Sequence, residues 1–200
     1  MGRLRALLVT SLLACLLVPA ASSAASCPDA AEQPFLPWLD PAMYGLAPGG
    51  ALESASGWKL QGGAGLVEGN ESFMVHSLGD RRSLLLPEGS SATTAPFCVG
   101  LEHPTIRFFA RNGGSPLSYL TVEVLFRDVL GISRSLPIGV VAGGARWQPT
   151  LPMPLLLNLV GPLLAVDPDS TAMVRLRFTP VGGSSSWQID DVYVDPFRGR

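Results

Sequence analysis

Two adjacent carboxylates, Asp190 and Asp191, interrupt the otherwise apolar and aromatic stretch Ser186-Trp187-Gln188-Ile189-Asp190-Asp191-Val192-Tyr193-Val194-Asp195-Pro196. Charged groups in such surroundings need a cation or hydrogen-bond donors. Other residues with chemical potential are few. His76 and His103 are the only histidines. His76 with Ser77 and Asp80 could be drawn as a nucleophile set, but neighbours on one strand and turn cannot converge on a single reacting atom as a triad must. His103, before Pro104, reads as a turn residue. The chain holds no Gly-x-Ser-x-Gly elbow, no His-Glu-x-x-His and no phosphate loop. A carboxylate pair for glycoside hydrolysis could be picked from 16 acids only arbitrarily, so the residues point away from an enzyme.

The strands expected to carry the aspartates come after a leader-like start. Residues 1–25 read as an export signal: Arg3 and Arg5 form the positive start, Ala6 to Val18 the apolar stretch, and Ser22-Ser23-Ala24 or Ser23-Ala24-Ala25 the cleavage site. The apolar run is too short for a spanning helix of about 20 residues and ends at Pro19, so no membrane span is expected in a secreted mature chain. A lipid anchor is the minor alternative, on Leu12-Leu13-Ala14-Cys15 or Ala24-Ala25-Ser26-Cys27. Cys27 and Cys98 are the cysteines of the mature chain, and an oxidising compartment favours pairing them; the alternative is a lipidated Cys27 with a buried free Cys98. Of the 14 basic residues Arg3 and Arg5 fall in the leader, leaving 12 against 16 acidic ones, a net charge of −4 that offers no electrostatic case for nucleic acid.

Residues 26–48 form a proline-rich arm, with Pro28, Pro34, Pro37, Pro41 and Pro48 blocking regular helix and central strand. Phe35, Trp38 and Tyr44 carry enough apolar area to hold it against the body. Residues 49–200 form the second unit, of short strands. Ile106, Phe108 and Ala110 alternate with Arg107, Phe109 and Arg111; Leu120, Val122, Val124 and Phe126 alternate with Tyr119, Thr121, Glu123 and Leu125; Val174, Leu176 and Phe178 alternate with Met173, Arg175 and Arg177. Period two predicts strands, separated by turns at Asn112-Gly113-Gly114-Ser115-Pro116, Gly143-Gly144, Asp167-Pro168-Asp169 and Gly182-Gly183-Ser184. The class is an all-β sandwich. Leu151 to Ala165, apolar but broken by Pro152, Pro154, Gly161 and Pro162, fits a short helix or an edge strand.

Gly50, Leu52, Glu53 and Trp58 near the start, Trp187, Ile189, Asp190, Asp191, Val192 and Val194 at the end, and Arg107-Phe108-Phe109-Ala110-Arg111 and Trp147 between them carry a resemblance. Over residues 49–196 the chain resembles the galactose-binding-like jelly rolls of the carbohydrate-binding-module type. The resemblance implies a jelly-roll β-sandwich. It also implies a structural calcium ion where first and last strands meet, with carboxylates from Glu53 and from Asp190 or Asp191, and carbonyls from Gly50 and the Ser77 to Asp80 turn. Without metal, one aspartate would bond a backbone amide and the other an arginine. Arg107, Phe109, Arg111 and Tyr119, with Arg175 and Arg177, could form a sugar-binding groove; the alternative is the solvated face of a sheet. Two functions are expected from this: a non-catalytic module binding an extracellular glycan or cell-wall polymer, or an extracellular structural domain that binds a surface protein.

Overall fold

The computed structural model describes residues 27–28, 32–100, 104–155 and 171–195. The leader, His103, the Asp167-Pro168-Asp169 turn, residues 156–165 and Pro196 lie outside the described residues. Two antiparallel sheets face each other. In the first, β7 (Thr105–Asn112) and β4 (Arg82–Pro87) flank β13 (Ser186–Asp195); β3 (Gly65–Glu68) lies beyond β4 and β10 (Gln148–Pro149) beyond β7. β1 (Gly45–Leu46) also pairs with β13, and β11 (Met153–Pro154) with β7. The second sheet runs β2 (Lys59–Gln61), β5 (Ser91–Thr93), β12 (Thr171–Val181), β8 (Tyr119–Arg127), β9 (Ser133–Val141), with β6 (Phe97–Gly100) on β12.

The alternation explains the core. Ile106, Phe108 and Ala110 of β7, Leu84 and Leu86 of β4, and Trp187 and Ile189 of β13 point inward from one sheet; Val122, Val124, Phe126, Val174, Leu176 and Phe178 meet them from the other. All are buried. The result is an all-β jelly-roll sandwich. The described part of the 151–165 segment is an edge strand: Met153 and Pro154 lie opposite Ile106 and Thr105, where a proline removes no interior ladder bond.

The proline-rich arm covers the outer face of the first sheet. Phe35, Tyr44, Phe109, Trp147 and Tyr193 form a second, smaller buried cluster, outside the sandwich core. A disulfide joins Cys27 to Cys98, 71 residues on, and ties the start of the arm to β6. From the arm the chain passes along β13: β1 sets Gly45 opposite Val194, and farther on Ala47 N donates to Val192 O (2.9 Å) and Val192 N to Gly50 O (3.0 Å). Gly50 is required there, since a Cβ would lie 2.5 Å from Val192 O. These bonds fall on an irregularity in β13 between Asp190 and Tyr193, where Asp191 takes φ 45°.

Candidate functional site

The irregularity decides where the paired carboxylates point. Both aspartates are fully buried, and both serve a loop, residues 69–81, that connects β3 to β4. Asp190 Oδ2 accepts from Glu71 N (2.9 Å) and Asp190 Oδ1 from Asp191 N (2.9 Å). Asp191 Oδ2 accepts from His76 N (3.3 Å), while its Oδ1 is buried with no hydrogen-bond partner. Glu71, also fully buried, turns back on its own loop and accepts from Phe73 N (2.5 Å) and Val75 N (2.6 Å). Glu53 Oε1 accepts from Arg81 N and Arg82 N (2.7 Å each). Four carboxylates thus substitute for the strand partners this loop lacks. Among the described residues neither aspartate pairs with an arginine.

The electrostatics are unusual. Burial, then the neighbouring Asp191 carboxylate, pushes Asp190 up to about 8; burial, then the Glu71 carboxylate, pushes Asp191 up to about 7. Burial alone would lower His76, but the Asp80 carboxylate at 2.7 Å outweighs it and raises the imidazole.

The calcium set expected from the resemblance assembles only in part. Glu53 Oε1 and both Asp190 oxygens are taken up by amides. Asp191 instead comes together with His76 and Asp80, whose potential ligand atoms and its own lie within 4.8 Å of one another. That is a candidate metal group of one nitrogen and two carboxylates, a mixture less suited to calcium than an all-oxygen shell. The unpartnered Asp191 Oδ1 is what such a cation would satisfy. Glu71 escaped sequence reading because a single acid in a Gly/Asn/Ser loop carries no periodic signal of burial.

The expected groove of Arg107, Phe109, Arg111 and Tyr119 is not formed. Tyr119 is on β8, in the other sheet. Phe109 is fully buried, stacked on Phe35 at 5.5 Å and flanked by Trp38 and Phe73. Arg107 lies 4.2 Å over the Phe35 ring, donates to Thr150 O (2.8 Å) and pairs with Asp40 (2.6 Å). Burial would raise the Asp40 carboxyl, but the bonds from Arg107 and Tyr44 hold it below its ordinary value. Arg111 donates twice to Gln188 Oε1 and sits 5.0 Å over Trp147. The physical reason is the arm: its aromatics occupy the face that strand alternation alone would leave to solvent.

An open groove lies instead on the outer face of the second sheet, with a volume of about 710 Å³. Strand register builds it. Lys59 stands opposite Thr93, Thr93 opposite Arg177, and Arg177 opposite Glu123; Arg175 stands opposite Leu125, and Arg127 opposite Ser133. Gln61 and Met173 also line it, and inward residues of β12 such as Leu176 and Phe178 anchor the floor in the core. Arg175 and Arg177 occupy the outward face expected from the alternation, but beside neighbours other than those of β7.

No known family profile matches the chain, and no curated protein sequence matches it significantly. Solved structures do resemble it. The N-terminal tandem CBM22-1–CBM22-2 domain of Paenibacillus barcinonensis Xyn10C superposes with a TM-score of 0.51 at 13% identity, over 79% of this chain and 46% of that one. The CBM22-1–GH10 modules of Clostridium thermocellum endo-1,4-beta-D-xylanase 10B, complexed with xylohexaose, give 0.48 at 12% identity, over 72% of this chain and 27% of that one. The enzymatically active domain of bacteriophage CBA120 tailspike protein 4 gives 0.45 at 16% identity, over 76% and 21%. The chain therefore spans less than half the length of each of these three. At such identities the likeness speaks of architecture alone, and that architecture is a jelly-roll β-sandwich.

Proposed function

We propose that the protein is an exported, non-catalytic binding domain whose ligand is an extracellular glycan or cell-wall polymer, held in the groove on the outer face of the second sheet. The observation that carries this reading is the groove itself: an open trough of about 710 Å³ lined by hydrogen-bonding side chains on a rigid strand floor. Lys59, Gln61, Thr93, Arg175 and Arg177 offer donors to the hydroxyls of a chain lying across the strands. No aspartate or glutamate is among the described residues that line it, and Glu123 on the same face is held by Arg177 at 2.7 Å. Glycoside hydrolysis needs two carboxyl groups flanking the bond, so the groove favours holding over cutting. Export is supported by the leader pattern at residues 1–25 and by the Cys27–Cys98 disulfide, a bond that persists in oxidising compartments.

Affinity electrophoresis in gels containing soluble polysaccharides, with a wall pull-down in parallel, tests this. Retardation in at least one glycan gel is expected, and Gln61→Ala combined with Thr93→Ala should weaken it without changing the folded state. A protein retarded by no glycan or wall fraction, yet recovered with a surface protein, belongs to the structural reading instead.

A further inference from the structure

We propose that the ligand of this groove is an acidic polysaccharide, a hydroxyl-rich chain bearing repeated anionic groups; the proposal rests on the glycan-binding reading and sharpens it. The groove collects four cations, Lys59, Arg127, Arg175 and Arg177, on a chain that carries more acidic than basic residues. Glu123 answers only one of them, through a two-pronged contact with Arg177 (Nε 2.8 Å, Nη2 2.7 Å). The side chains of Lys59, Arg127 and Arg175 have no ion-pair or hydrogen-bond partner among the described residues. By contrast, Arg107, on the covered face of the other sheet, pairs with Asp40, and Arg134, near the β8–β9 turn, pairs with Asp128.

Their placement is ordered. Arg175 and Arg177 are alternate residues of one strand, roughly 7 Å apart along it, and Lys59 stands two strands from Arg177, about 10 Å across the sheet. Guanidinium forks match carboxylates and other oxyanions in a way that neutral hydroxyls do not exploit. What the groove lacks points the same way. Neutral sugars are gripped by stacking on exposed rings, and the one aromatic among the described lining residues, Phe126, is buried in the core. Tyr119, 38% exposed at the far end of β8, pairs with Val181 and is outside the lining.

The test is affinity electrophoresis of the full chain against polygalacturonate, dextran sulfate, neutral xylan and neutral dextran, with double-stranded DNA as a plain polyanion. The inference expects retardation by polygalacturonate or dextran sulfate, and the stronger of the two assigns the anion as carboxylate or sulfate-type ester. Retardation should shrink with added salt. Arg175→Ala and Lys59→Ala should each weaken it about tenfold. Arg175→Lys should restore part of the affinity, and unchanged thermal midpoints will show that the variants are folded. Equal retention by neutral xylan, insensitive to salt and to Arg175→Ala, overturns the acidic assignment while leaving the glycan-binding reading standing. Retention by DNA as strong as by the acidic glycans also overturns it, as nonspecific polyanion adsorption. Retention by no polymer sinks both readings together.

Discussion

Asp191 shows how much one residue can be asked to do. It sits at positive φ within the irregularity of β13, its Oδ2 holds the amide of His76, and its Oδ1 faces no donor. Because Asp190 and Asp191 have folded-state values near 8 and 7, well above those of an unfolded chain, the folded protein binds more protons than the unfolded one between about pH 4 and pH 8. Stability from these groups is fully present at low pH and is lost as pH rises through that window. Asp191→Asn keeps an acceptor for His76 N and turns an amide toward the unpartnered position. In chelator-treated protein at pH 8 the variant is expected to melt roughly 2–4 °C higher than wild type, with the difference gone near pH 4. Thermal melts across the pH range check this; a lower midpoint for the variant at pH 8 would mean that the negative charge is itself stabilising. A second prediction concerns Phe109, which is a core residue of the arm cluster and not a sugar platform. Phe109→Ala should cost about 3–5 kcal/mol in a denaturant titration and leave ligand affinity of the folded fraction unchanged.

At the scale of elements, β7 and β12 teach what alternation can and cannot say. Both present arginines on the face opposite the sandwich core, at Arg107 and Arg111 in one strand and Arg175 and Arg177 in the other. Both inward faces were legible, because Ile106, Phe108, Val174, Leu176 and Phe178 declare themselves by period two. The outward faces meet opposite fates. The arm covers one and solvent reaches the other, and that choice is made by Phe35 and Trp38, some 70 residues upstream of β7. The one local clue was Phe109, an aromatic where a solvated strand would place a polar residue. The same limit explains Glu53, whose partner amides lie in the distant Arg81–Arg82 pair. The disulfide ties down the start of the arm, and closing a loop of 71 residues contributes about 4 kcal/mol in the chain-entropy model. Cys27→Ser with Cys98→Ser should lower the midpoint and loosen the arm first. Trp38 and Trp147 emission would shift to the red before the sheets melt, whereas a single coincident transition would show that packing alone holds the arm.

For the whole molecule, the sandwich was legible as a class, from short alternating strands, turn signals and the absence of a long amphipathic helix. The open groove was not, since it is defined by which sheet the arm leaves bare. The close approach of the chain start to β13 is equally a whole-fold property. Gly50→Ala places a methyl carbon against Val192 O, and we expect a loss of roughly 1–3 kcal/mol in equilibrium unfolding even though Gly50 touches no ligand. An unchanged midpoint would mean that the junction can open without cost.

The central position of β13 has a consequence for how this protein is made. β13 is the strand that β4 and β7 share, and no ladder joins those two directly. A nascent chain that has emerged only as far as Val181 therefore holds the first sheet as two separate ribbons, each with a bare hydrogen-bonding edge. Folding cannot close until residues 186–195 leave the ribosome. Until then the bare edges of β4 and β7 are open to pairing with neighbouring chains.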